Sequence, residues 1–129
     1  MSKLALTAII AAAGLIGAAS AQAGEPVKPA RSCFFVTEWN GWSAPDDQTL
    51  LLKVNRDVYK VTLNSKSNAL KWPGMHLVSV VRGSSSVCSA RDLDLAVADG
   101  YGFREPLFLK SMDKLSSDEV AALPKKDRP

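Results

Sequence analysis

The first 23 residues, MSKLALTAIIAAAGLIGAASAQA, constrain this chain more than any other segment, because they set how much of it folds and in what redox environment. Lys3 supplies a positive start, Leu4 to Ala19 an apolar run, and Ala21-Gln22-Ala23 a small-x-small cleavage site. This is the pattern of a secretory signal peptide, so the mature chain is expected to begin near Gly24 and to work in the periplasm or outside the cell. The competing reading is an uncleaved anchor. It is disfavoured because the 16-residue apolar run is shorter than the roughly 18 residues that cross a bilayer, and no Lys or Arg cluster follows Ala23. Cys33, the first cysteine, lies ten positions past Ala23 and cannot be a lipidated N-terminus. No membrane span is expected after cleavage.

Removing 23 of the 129 residues leaves 106, the length of one domain with a modest core. Residues 24–31, with Pro26 and Pro29, read as a linker, 32–124 as a single β-rich domain and 125–129 as a solvated tail. Cys33 and Cys88 are the only cysteines, and an even count in an oxidising space favours a disulfide. The alternative is two separate buried thiols. Without a C-x-x-C spacing a redox-active pair is disfavoured, so a structural bridge buried in the sheet is expected.

Taking Lys3 from the 16 basic residues, against 13 acidic ones, leaves a net charge of +2 on the mature chain. The charges are interspersed. A nucleic-acid partner would require a basic face interleaved with aromatics, and the sequence has none. No Gly-rich phosphate loop is present, and no cofactor is implied.

Ser32 to Trp39 is aromatic and β-branched and reads as a strand. Asn40-Gly41 is a strong hairpin signal, with a wider loop through Ser43 to Asp47 as the alternative, in which Pro45 and the aspartates would shape the turn. Thr49–Val54 and Val58–Leu63 form the clearest strand pair, joined by Asn55-Arg56-Asp57. Residues 64–72 are polar, with room for one helical turn. Leu77–Val81, Asp92–Ala98 and Pro106–Met112 complete about six strands. Ser116 and Glu119 form a capping box, starting a helix over 117–123 that Pro124 stops. Short connections favour antiparallel pairing. The expected fold is mainly β, an antiparallel meander or small open barrel with a short C-terminal helix.

Candidate chemistry is sparse. His76 is the sole histidine, so zinc lacks ligands. It reads as a surface or partly buried residue, and a hydrolase using His76 with Asp46 or Asp47 is the alternative. Asp46 and Asp47 are better explained as turn caps. Asp92 and Asp94 would share a strand face, too few ligands for calcium. No serine lies in a G-x-S-x-G elbow. Phe34, Phe35, Tyr59 and Phe108 sit within strands and read as core. Trp39, Trp42, Trp72, Tyr101 and Phe103 sit at turns, where they either line a ligand or partner site or plug the ends of a thin core.

Three runs together carry a family resemblance: Cys33-Phe34-Phe35 with Trp39-Asn40-Gly41-Trp42 and Ala44-Pro45-Asp46-Asp47; Val87-Cys88 with Asp92 to Leu95; and Lys114 to Pro129. From about Arg31 onward the chain resembles a family of small exported proteins of Gram-negative bacteria, classed as a domain of unknown function. The resemblance implies no activity. It does imply a pairing: family members often carry four cysteines, the two here match Cys33 and Cys88, and the others would fall near Lys66 and Glu105. Their joint loss is that of a bonded pair, leaving Cys33 with Cys88. The resulting expectation is a non-enzymatic exported protein that binds an envelope protein or a small ligand.

Overall fold

The computed structural model describes residues 33–80 and 83–129. The expected signal peptide at 1–23, the expected linker at 24–31 and the expected strand end at Val81 lie outside the described residues. Within them the fold is mainly β, with nine strands in three antiparallel sheets and one short α-helix. The strands are β1 (Phe34–Phe35), β2 (Trp39–Ser43), β3 (Thr49–Val54), β4 (Asp57–Leu63), β5 (His76–Val80), β6 (Ser86–Val87), β7 (Asp94–Ala98), β8 (Arg104–Leu107) and β9 (Leu109–Lys114). The sheets run β1-β6, β2-β3-β4-β9 and β5-β7-β8, and none closes into a barrel.

Nine strands replace the expected six because three readings change. The run at 32–39 divides: β1 stops at Phe35, a 3-10 turn follows over Val36–Glu38, and β2 begins at Trp39. Residues Ser86–Val87, which lie in none of the six expected strands, pair with β1. The run at 106–112 breaks at Phe108 into β8 and β9, which belong to different sheets. Pro106 therefore sits inside β8, where it is tolerated because β8 is an edge strand.

Asn40-Gly41 does not turn the chain. It lies inside β2, and the loop through Ala44–Gln48 makes the reversal into β3. Gly41 is not among the glycines with the positive φ that a type I′ turn needs. Instead the register against β3 slips between Trp39 and Gly41, so Asn40 is an extra residue, a β-bulge. The reason is parity. Trp39 and Trp42 are three apart and would point to opposite faces of a regular strand. The inserted residue puts both against the core, and the Trp39 indole N–H closes the bulge onto the Gly41 carbonyl at 2.6 Å.

A second bulge follows the same logic. Thr62 faces Ser111 and Leu63 faces Leu109, so Lys110 is extra in β9. Leu109 and Met112, again three apart, both reach the core.

One core cluster joins the sheets: Leu50, Leu52 and Val54 of β3, Tyr59, Val61 and Leu63 of β4, Leu95 and Val97 of β7, and Leu107 of β8, with Phe34, Val87, Ala69, Leu70 and Leu93. Leu51 lies outside that cluster yet is almost fully buried. Its partner in β2 is Ser43, whose hydroxyl donates to the Asp127 carbonyl. The C-terminal segment is thus tied to the far face of the four-stranded sheet. Lys125, Lys126 and Arg128 of that segment remain exposed.

The C-terminal helix, α1 (Ser117–Ala122), starts where the capping box places it. The Ser116 hydroxyl accepts from the Glu119 N–H at 3.2 Å, and the Glu119 carboxylate accepts from the Ser116 N–H at 2.7 Å. The second bond and the Ser116 side chain hold the Glu119 carboxyl below the ordinary carboxylate range. In the β3–β4 turn Asn55 adopts φ 54°, the left-handed region that asparagine tolerates.

Candidate functional site

Cys33 and Cys88 are joined in a disulfide with Cα atoms 4.1 Å apart. The β1-β6 register places Phe34 opposite Val87, so the next pair outward is Cys33 opposite Cys88. The bridge is not buried, contrary to the expectation from sequence. Cys33 is exposed and Cys88 half-buried. Strand alternation explains this: Phe34 and Val87 take the inward positions, so their neighbours face out.

The aromatics at turns divide into two groups. Trp39 and Trp42 pack against the core and act as its rim. Trp72 and Phe103 come together at the surface, ring centroids 5.6 Å apart and tilted by 44°. They are 53% and 36% exposed, and Tyr101, in the same turn as Phe103, is 99% exposed. Two further aromatics read as core are also at the surface: Phe35 at 53% and Phe108 at 64%. Phe35 follows an inward Phe34, and Phe108 sits where the chain passes between sheets, so neither position faces the interior. Phe34 and Tyr59 do, with centroids 4.8 Å apart.

The turn carrying Tyr101 and Phe103 is shaped by Asp99. Its carboxylate accepts from the Tyr101 and Phe103 N–H groups, each at 2.8 Å. Those bonds hold Asp99 below the ordinary carboxylate range. Gly102 supplies the φ of 107° that the turn requires. On the other side, Trp72 ends a 3-10 turn over Asn68–Lys71.

Beside Trp72 lies an open cleft of about 400 Å³, lined by Asp46, Asp47, Asn68, Lys71 and Trp72. Burial pushes Asp46 upward. Hydrogen bonds from Gln48 and Thr49, with the nearby Lys71 charge, outweigh it and leave the group below its ordinary value. Lys71 donates to the Pro45 carbonyl at 3.1 Å, and Lys66 stands 3.7 Å from Asp47. The Ser67 N–H donates to the Asp47 carbonyl, while the Ser67 hydroxyl is buried with no hydrogen-bond partner. Asn68, Lys71 and Ser67 carried no signal in the polar run at 64–72. Only the fold sets them against the Asp46-Asp47 loop.

The candidate dyad does not assemble. No hydrogen bond joins His76 to Asp46 or Asp47 among the described residues. His76 opens β5 at an exposed position, and the carboxylate whose charge it affects is Asp99. Asp92 and Asp94 do not share a strand face, because Asp92 lies in a 3-10 turn over Ala90–Asp92. Its carboxylate accepts from the Cys88 N–H and the Ser89 hydroxyl. No group of three or more His, Cys, Asp or Glu suited to a metal ion occurs among the described residues.

A sequence model for a family of unknown function, DUF6491, matches residues 1–129. The chain belongs to that family. No curated protein and no solved structure matches it. As a DUF6491 member it inherits no assigned chemistry, so any function must be argued from its own surface. None of the helices among the described residues is long and apolar enough to cross a membrane.

Proposed function

We propose that the protein is exported by residues 1–23, loses them, and serves in the periplasm as a non-enzymatic binding protein. The export reading is supported by the charge, apolar run and A-x-A spacing of that segment, and by a disulfide that an oxidising compartment maintains. The binding reading rests on one observation: Trp72 and Phe103, brought from separate connections, meet at the surface beside a polar cleft.

Large aromatics left in water forgo burial energy, and a partly exposed aromatic pair is the kind of surface that anchors a ligand. The cleft adds Asp46, Asp47, Asn68 and Lys71 as donors and acceptors around one indole wall. A small polar ligand with one flat apolar face fits this set. A sugar ring has that shape, its C–H face resting on Trp72 and its hydroxyls meeting the polar rim.

The test is a tryptophan-fluorescence titration with soluble cell-wall glycan fragments. Saturable binding is expected, weakened in Trp72→Ala by about 2 kcal/mol and little changed in Lys125→Ala. Equal affinity in Trp72→Ala and the parent would reject this site.

A further inference from the structure

A second cleft, of about 500 Å³, opens between β9 and the 3-10 turn over Ala90–Asp92. It is lined by Cys88, Ser89, Ala90, Arg91, Lys110, Ser111 and Met112. We propose that this cleft binds a phosphomonoester, with Arg91 and Lys110 holding the anion and the Ser111 hydroxyl completing the contact.

Three observations support this. The first is charge without a partner: among the described residues neither Arg91 nor Lys110 forms an ion pair. The one carboxylate built into the turn, Asp92, faces the Cys88 N–H and the Ser89 hydroxyl. Both residues are exposed on the cleft they line, and an Arg fork with a Lys point charge matches the oxygens of a phosphate.

The second is the backbone. Lys110 is the inserted residue of the β9 bulge, and a bulge re-aims the side chain it carries. The core needs the parity change, because it brings Leu109 and Met112 inward together. That need does not dictate a cation at the inserted position. The third is the wall. Ala90 and Met112 give the cleft an apolar side, where the alcohol part of a phosphomonoester can rest. Of the two serines, Ser89 is already committed, accepting from the Arg91 N–H and donating to Asp92. Ser111, half-buried in β9, is the hydroxyl that remains.

The phosphate can belong to a soluble metabolite or to a lipid headgroup, and the experiment separates these. Backbone amide shifts of the oxidised mature protein, residues 24–129, are followed during titration with glycerol 3-phosphate. Saturable shifts at Arg91, Lys110 and Ser111 are expected. Arg91→Ala and Lys110→Ala should each weaken binding about tenfold, and Arg56→Ala, at an exposed turn position, should leave it unchanged. In a parallel arm the protein is sedimented with vesicles containing phosphatidic acid. Sedimentation lost in the Arg91→Ala/Lys110→Ala variant assigns the lipid source; titration without sedimentation assigns the soluble one. Shifts confined to Lys125–Arg128, acetate binding as tightly as the phosphoester, or a double variant with parental affinity would each overturn the proposal.

Discussion

Replacing both bridging cysteines, Cys33→Ser with Cys88→Ser, separates the chain-closing role of the disulfide from the packing around it. The bridge spans 55 positions, and closing a loop of that length in the denatured chain corresponds to about 4 kcal/mol in the chain-entropy account. The native side then decides how much of this is felt. β1 and β6 have two residues each, and a ribbon that short does not hold by itself. It is nevertheless anchored by Phe34 and Val87, 5% and 0% exposed, and by the Val36 N–H donating to the Ser85 carbonyl at 3.0 Å. Burying a Phe or Val side chain contributes about 1.5–3 kcal/mol, so these anchors keep the ribbon docked while the variant loses its unfolded-state constraint. A loss of about 2–4 kcal/mol follows, and for a domain of this size each kcal/mol moves Tm by about 4–8 °C. Thermal unfolding by circular dichroism should therefore show a folded variant with Tm lower by about 10–30 °C. Because Cys33 is exposed, dithiothreitol should convert the folded parent to the same Tm. A variant melting within about 3 °C of the parent would refute the argument, since neither a 55-position closure nor the short ribbon would then depend on the bridge.

Two further outcomes follow from the turn and the helix. The folded-state pKa of Asp99 is depressed, so its contribution is complete above its ordinary value, about pH 4, and is lost as pH falls through the lower folded value. The Tyr101 and Phe103 amides should titrate together in that acidic window, and Asp99→Ala should abolish the transition and loosen the Trp72–Phe103 contact, read by tryptophan emission. Ser116→Ala removes the cap of a six-residue helix and should cost about 1 kcal/mol, seen as roughly fivefold faster hydrogen exchange at Val120 and the neighbouring amides of α1.

Local order was legible in the sequence where a short-range cause suffices. The β3–β4 hairpin follows from alternation and the Asn55 turn, and α1 from the reciprocal Ser116–Glu119 bonds. The Cys33–Cys88 pairing follows from a count of two cysteines. Each is decided by neighbours a few positions apart or by the absence of any other partner. Tertiary structure decided the rest, because it depended on which face each residue must present to a shared core. Asn40-Gly41 has the chemistry of a hairpin, yet it became a bulge because Trp39 and Trp42 both had to point inward. Pro106–Met112 has the composition of one strand, yet it serves two sheets. Cys33 and Cys88 sit among strand formers, yet they face outward because Phe34 and Val87 hold the inward positions. Both clefts arise in the same way. Trp72 meets Phe103, and the turn carrying Arg91 comes to line one cleft with the strand carrying Lys110, across separations no local pattern encodes, and only packing the sheets on one core brings them together.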